Sequence, residues 1–385
     1  MSTRVAMIFG GRSVEHEVSV ITAHQAMAAM PSDRYTVIPI YIAKSGQWYT
    51  GDALRKLDNF RDLDRLASLA EPITFSPNST TPGFLTQRVS KRGLFGGGTQ
   101  LQFELIDVAF PLVHGSHGED GTLQGLFELA DIPYVGCDVA ASAIGINKAL
   151  TKRLLRAEGL PVVDDITISR GQWQPDRDAL IKAIEERFDY PLYVKPARLG
   201  SSIGVSRAED TMKLTFALDV ALTYDNLVLI EPAQLNIIEI NCSVLGDEVD
   251  CEASACEQPV SQGTLTYDDK YLRGGKSKGM KGSQRIIPAD LPESMADSIR
   301  QAAMKAFRGI GGSGVARVDF LCRPTNGSFY VNEINTLPGS LSFYMWEASG
   351  VSFERLLDRL ISIAQQRASA KKQSTYTFQS SLLGK

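Results

Sequence analysis

Two alternating runs joined by an Asn-Gly pair constrain this chain more than any other stretch. Residues Gly314–Gly339 read GVARVDFLCRPTNGSFYVNEINTLPG. An Asn-Gly pair between such runs is the strongest short-range signal for a β-hairpin. Side chains alternate faces along a strand. Arg317 and Asp319 therefore share a face of the first run, and Glu333 and Asn335 share a face of the second. Folding at Pro324–Gly327 brings Asp319 roughly opposite Glu333 and Arg317 roughly opposite Asn335. One patch of sheet then carries two carboxylates, an amide oxygen and a guanidinium. Oxygen donors of this kind suit Mg²⁺, which binds few carboxylates and leaves room for phosphate. Taken alone, the hairpin also reads as a solvated face with cross-strand ion pairs. The Thr336–Gly339 turn and the phosphate-type loops elsewhere favour the metal–phosphate reading.

A chain of 385 residues exceeds one small core, so two or three domains are expected. Its 43% hydrophobic and 22% charged residues are those of a globular protein. A net charge of −4 gives no electrostatic ground for nucleic-acid binding. The five cysteines are scattered, and all four histidines precede residue 120, so a zinc site is not expected. Without a long apolar run or a signal-peptide pattern, a cytoplasmic location away from the membrane, with reduced thiols, is expected.

In chain order, Arg4–Phe9 is an apolar strand ending in Gly10-Gly11-Arg12-Ser13, followed by a helical pattern. Strand, glycine turn and helix open a doubly wound α/β domain, in which ligands meet strand ends and helix N-termini. Glu15, in the first helical turn, reads equally as dipole compensation or as a functional carboxylate. Tyr35–Ala43 is a second strand. Residues 52–100 read as a variable insertion without chemistry, with a helix at Leu54–Leu69 and loops at Ser76–Gly83 and Gly93–Thr99. Ile106–Val113 is a buried strand ending at His114 in a glycine-rich loop. A lone histidine is more often structural, but a strand C-terminus is where this fold places ligands. Lys148 and Lys152 lie on a helical stretch, and Lys152 reads as a surface lysine. YPLYVKPARLGSSIGVSRA puts Lys195 and a Gly200-Ser201-Ser202 loop between two strands, where backbone N–H groups can approach phosphate oxygens. Leu227–Glu231 ends a strand in a carboxylate, and Glu239 sits in the next run. Tyr267–Pro288 is a basic, glycine-rich loop: a solvated loop, or a cationic lid over anionic substrates. Helices are expected at Glu293–Phe307 and from Phe353 to Ala364, with a loose polar tail from Gln365.

GGRSVEHEVSV, HGEDGTLQG, SAIGINK, YVKPARLGSSIGVS, YDDKY and GVARVDF…NEINTLPG, in this order, resemble the D-alanine–D-alanine ligases of the ATP-grasp superfamily. The resemblance runs from Val5 to about Ala364 and is weakest over 52–100. It implies an α/β and α+β architecture, with a Rossmann-like N-terminal domain (1–136) and two α+β subdomains (137–230 and 231–366) clamping ATP. Residues 367–385 form a polar tail in this scheme. It implies ligation of two D-alanines through an acyl phosphate for peptidoglycan synthesis, with small D-amino acids as partners. It also implies ATP and two Mg²⁺ ions as cofactors, manganese as a substitute, and a homodimer.

Carried over residue by residue, Glu15 resembles the carboxylate that holds the first ammonium group, with His114 nearby. Lys148 and Lys195 resemble the phosphate-binding lysines. Ser201 and Ser202 resemble the phosphate-covering loop, Ser201 also linking Glu15 to the lid tyrosine. Glu231, Ala233 and Glu239 match the adenine and ribose end, although the spacing from Glu231 to Glu239 is one residue longer than usual. Lys270 and Tyr271 match the lid pair, and a tyrosine there resembles ligases whose acceptor is an amino acid rather than D-lactate. Arg317 and the Gly339 amide correspond to the oxyanion donors, and Asp319, Glu333 and Asn335 to the metal ligands. Ser342 and Tyr344 fall at the acceptor pocket, Tyr344 standing where many members have the serine that contacts the second carboxylate. That departure leaves open D-serine or another D-amino acid as acceptor. A nucleotide-binding protein without ligase activity is the alternative of a different class.

Overall fold

The computed structural model describes residues 2–80, 83–89, 99–260, 285–377 and 380. The lid residues Lys270 and Tyr271 lie outside them. Strands β1 (Thr3–Gly10), β2 (Tyr35–Ile42), β3 (Trp48–Thr50), β4 (Glu71–Ser76), β5 (Gly83–Val89), β6 (Thr99–Leu105) and β7 (Val108–Pro111) form one sheet, ordered β6-β5-β4-β3-β2-β1-β7. β1 pairs in parallel with β2 and β7, as a doubly wound core requires. Its alternation divides two helix layers. Val5, Met7 and Phe9 pack with helices His16–Ala29 and Phe353–Lys371, while Ala6 and Ile8 pack with helix Thr122–Leu129.

The stretch 52–100 corrects the expectation. Leu54–Leu69 is two 3₁₀ turns and a short helix, Leu63–Leu69. β4, β5 and β6 continue the sheet in antiparallel pairing beyond β3, so the segment extends the sheet as well as looping out of it.

The second sheet, ordered β10-β9-β11-β8, contains β8 (Ile166–Ser169), β9 (Leu192–Pro196), β10 (Ser206–Ala208) and β11 (Leu227–Pro232). Its own apolar core joins Ile168, Val194, Val228 and Ile230 to helices Arg177–Glu185 and Thr211–Tyr224. The third sheet is built on β12 (Ile238–Gly246) and β13 (Cys251–Ala253). A two-stranded ribbon of β14 (Gln258–Pro259) and β15 (Arg285–Ile286) follows in the chain. β16 (Gly314–Arg323) and β17 (Ser328–Asn335) complete the third sheet in the order β13-β12-β16-β17. Helix Glu293–Gly309 covers it with Met295, Ile299, Ala303 and Phe307.

The last helix runs to Lys371, through residues expected to be a loose tail. Arg367 donates to the Gly136 carbonyl at 2.6 Å and the Tyr134 carbonyl at 2.7 Å, and Lys371 pairs with Glu128. The polar residues there are partners of the first sheet's edge, which composition alone does not reveal.

Candidate active site

β16 and β17 pair with Arg317 opposite Asn335 and Asp319 opposite Glu333. The turn closes through a 3.0 Å bond from Gly327 N–H to the Arg323 carbonyl. Past Asp319 the register slips, so that Phe320 faces Val331 and Asn332 is the extra residue of a bulge. A bulge re-aims side chains. Here Asn332 and Glu333 both reach the same cleft, and Asn332 Oδ1 accepts from Lys195 Nζ at 3.3 Å.

The Arg317 guanidinium forks onto Asp319, with Nε 2.6 Å from Oδ1 and Nη2 2.7 Å from Oδ2. Burial disfavours its charge, and Asp319 outweighs this and holds the guanidinium well above its usual range. Asn335 Nδ2 donates to Asp319 Oδ2 at 3.1 Å, and Glu333 Oε2 lies 3.2 Å from Lys148 Nζ. Each carboxylate thus already faces a cation of the chain. Among the described residues no group of three or more His, Cys, Asp or Glu side chains is arranged for a metal ion. Two carboxylates and an amide oxygen are nonetheless a donor set that suits Mg²⁺ shared with phosphate.

The facing wall comes from the second sheet and from helix Lys148–Ala157, whose Leu155 packs in the third sheet's core. Asn147 caps helix Lys148–Ala157, accepting from Leu150 N–H at 3.2 Å, and so fixes Lys148 at the helix start. Lys148 Nζ also donates to the Leu199 carbonyl at 2.9 Å. On neighbouring strands, Lys195 Nζ lies 2.5 Å from Glu231 Oε2, and Lys152 takes the other carboxylate oxygen. Lys152, expected on the surface, is 1% exposed. Its i+4 spacing from Lys148 is the signal that was there to read, since both lie on one helix face. Burial would raise the Glu231 carboxyl, but the two ammonium groups hold it below the usual range. Burial likewise works against the Lys195 charge, and Glu231 wins, raising it.

These walls enclose a cleft of about 390 Å³. Lys148, Lys195, Ser202, Glu231, Glu239, Asp319 and Glu333 line it, with Tyr193, Ile238 and Leu321 as its apolar part. Ala233 is not among the lining residues; its N–H donates to the Pro191 carbonyl at 2.9 Å, while neighbouring Pro232 and Gln234 do line the cleft.

Glu15 lies just before helix His16–Ala29, 7% exposed, and accepts from the Ser201 hydroxyl. Two glycines make room for it. A Cβ on Gly115 would sit 2.7 Å from Glu15 Oε2, and one on Gly200 3.0 Å from the same oxygen. Ser201 and Ser202 hold left-handed φ values of 54° and 58°, a conformation that costs non-glycine residues about 1–3 kcal/mol each. His114 has both ring nitrogens engaged by the protein, Nδ1 3.0 Å from the Leu337 carbonyl and Nε2 3.1 Å from Thr22 Oγ1. Gly339 begins a short turn in which Ser342 is fully buried, its hydroxyl without a hydrogen-bond partner among the described residues.

Tyr344 is buried, its hydroxyl 3.4 Å from Glu257 Oε2 and its ring 4.0 Å beneath the Arg285 guanidinium. Burial first, and then Glu257, raise the phenol far above its usual range. Glu257 is also held by Arg285 at 3.2 Å and by Asn241 at 3.1 Å. Asn241, Glu257 and Arg285 were not singled out from the sequence, because they are brought together by an isolated bridge between Asn241 and Glu257 and by the β14–β15 ribbon.

A mixed α/β sheet with a parallel core, followed by two α+β sheets whose lysines and carboxylates face one another across a cleft, is the ATP-grasp architecture. Family profiles described as D-ala D-ala ligase N-terminus and C-terminus match residues 4–137 and 154–362. A D-alanine–D-alanine ligase of Acetivibrio thermocellus is 40% identical over 375 residues, covering 94% of this chain and 96% of that protein. The solved D-alanine–D-alanine ligase of Coxiella burnetii superposes with a TM-score of 0.78 at 32% identity, covering 97% of this chain and 96% of that one. The VanG D-Ala:D-Ser ligase of Enterococcus faecalis gives a TM-score of 0.78 at 31% identity, covering 94% of this chain and all (100%) of that one. The chain belongs to the D-alanine–D-alanine ligase family.

Proposed function

We propose that the chain joins two D-alanines into D-alanyl-D-alanine, converting ATP to ADP and phosphate, and so supplies a peptidoglycan precursor. The observation that carries this reading is the hairpin register. It sets Arg317 opposite Asn335 and Asp319 opposite Glu333, and brings Asp319 and Glu333 to a cleft shared with Lys148 and Lys195.

Glu15 holds the ammonium of the first D-alanine. Lys148, Lys195 and the backbone around Ser201 and Ser202 neutralise the ATP phosphates, while Glu239 receives the ribose. Glu231 sits at the adenine end and keeps Lys195 aimed. The first carboxylate attacks the γ-phosphorus, ADP leaves, and an acyl phosphate remains. The amine of the second D-alanine attacks its carbonyl, and the tetrahedral intermediate expels phosphate. Arg317 and the Gly339 N–H stabilise the oxyanion, with charge aimed where charge develops. Asp319, Glu333 and Asn335 would hold two Mg²⁺ ions, with Mn²⁺ as a substitute, which when bound neutralise phosphate charge. Lys270 and Tyr271 serve as the lid pair.

Residues 1–136, 137–230 and 231–366 are assigned to the N-terminal, central and C-terminal units. A cytoplasmic homodimer is the setting consistent with this chemistry, and sedimentation tests the dimer. No described helix is long and apolar enough to cross a membrane.

One observation favours a second acceptor. Tyr344, packed under Arg285 and against Glu257, stands where many family members have serine, and D-serine is the alternative that fits a reshaped pocket. ADP release and product mass, measured with D-alanine alone and with D-alanine plus D-serine, separate the two. No ADP with any D-amino-acid pair would defeat both and favour nucleotide binding without ligation.

A further inference from the structure

Thr22, on helix His16–Ala29, stands at the centre of a closed hydrogen-bond circuit around the turn that carries Gly339. Its Oγ1 accepts from Ser340 N–H at 3.1 Å and lies 3.1 Å from His114 Nε2. His114 Nδ1 lies 3.0 Å from the Leu337 carbonyl. Glu119 Oε1 also lies 3.4 Å from Nδ1. A carbonyl and a carboxylate only accept, so the imidazole proton belongs on Nδ1. In the neutral imidazole Nε2 then accepts, and the Thr22 hydroxyl gives it its proton while receiving the Ser340 N–H. Every donor in the circuit is used once. Thr22, His114 and Ser340 are 1%, 2% and 1% exposed, so water does not substitute for a lost member.

The two anchored groups, the Leu337 carbonyl and the Ser340 N–H, bracket Pro338-Gly339 on either side. Beyond them Ser340, Leu341 and Ser342 run at φ 52°, 54° and 52°. Three successive non-glycine residues in this left-handed region cost about 1–3 kcal/mol each and persist only where the surroundings over-determine them. Buried Leu341, whose N–H donates to the Pro338 carbonyl at 2.8 Å, supplies part of that restraint, and the circuit adds to it.

We propose that Thr22 is a positioning residue for ligation, its one hydroxyl fixing both ends of the Pro338–Gly339 turn and thereby aiming the Gly339 amide. This rests on the reading of that amide as an oxyanion donor. His114 acts through the same circuit, orienting the turn from the Leu337 side.

The test compares Thr22→Val, which keeps the shape and removes the hydroxyl, with Thr22→Ser, which restores it, and with Arg317→Ala. For each, kcat, the KM for ATP and the affinity for a phosphinate dipeptide mimic of the tetrahedral intermediate are measured, beside a thermal melt. The expected result is a kcat about ten- to a hundredfold lower in T22V, as for a displaced catalytic group. Weaker binding of the mimic, an unchanged KM for ATP and recovery in T22S accompany it. If T22V does not fold, T22A takes its place in the comparison. Wild-type kcat without the hydroxyl, no recovery in T22S, or a parallel loss of ATP affinity would overturn the proposal. An unimpaired R317A would instead overturn the oxyanion reading itself, whereas an impaired R317A beside a normal T22V removes the positioning role alone.

Discussion

Lys195 Nζ lies 2.5 Å from Glu231 Oε2, and Lys152 closes on the other oxygen of the same carboxylate. A glutamate between two buried lysines ties the phosphate end of the cleft to the floor of the second sheet. Glu231→Gln leaves two ammonium groups facing a neutral amide. Removing one member of a buried pair costs about 3–5 kcal/mol, so the variant should melt well below the parent chain. Glu231 is depressed in the folded state. Its contribution is therefore whole above the ordinary glutamate pKa of about 4.3 and is lost as pH falls through the depressed folded value. Melting curves between pH 3 and 7 should show parent and E231Q converging at the acid end.

Arg317→Ala should lower kcat by at least about a hundredfold, as for loss of one oxyanion donor. Steady-state ADP release at saturating substrates gives this directly, and a near-normal kcat would remove Arg317 from the reaction.

Glu15→Gln keeps the hydrogen bond from Ser201 but removes the charge that pairs with an ammonium group. The KM for the first amino acid should rise about tenfold or more, with the KM for ATP little changed, because a charged hydrogen bond is worth about 1.5–3 kcal/mol. Initial rates over a D-alanine series resolve this; an unchanged first KM counts against the assignment.

Asp319→Asn tests the metal ligands. The Mg²⁺ concentration for half-maximal rate should rise about tenfold or more, since even outer partners of a metal ligand are worth that much. Titration with Mg²⁺ and Mn²⁺ in the parent and D319N measures it. Identical midpoints would show that the hairpin carboxylates do not hold the ion.

The hairpin was legible because the Asn326-Gly327 turn and two alternating runs leave little freedom of register, and Arg317, Asp319, Glu333 and Asn335 pair as the alternation requires. The bulge at Asn332 was not, because it depends on the partner strand. Strands β4 to β6 escaped notice because they are linked by turn-rich sequence, so their pairing is set by the sheet they join. Lys152 shows a different limit. Its residue type says surface; beyond the i+4 spacing from Lys148, the partner that buries it, Glu231, lies 79 positions along the chain. Arg367 and Lys371 escaped for the same reason, their partners being carbonyls and a carboxylate of the first unit.

One apolar cluster joins Val5, Met7 and Phe9 of β1 to Val315 of β16 and to Met345, Trp346, Phe353, Leu356 and Leu360. The beginning and the end of the polypeptide therefore melt together, whereas the second sheet, with its separate cluster around Ile168, Val194 and Ile230, is free to come apart by its own transition. Calorimetry of the nucleotide-free chain should show two heat-absorption peaks, and a nucleotide gripped by both bodies should fuse them into one at higher temperature.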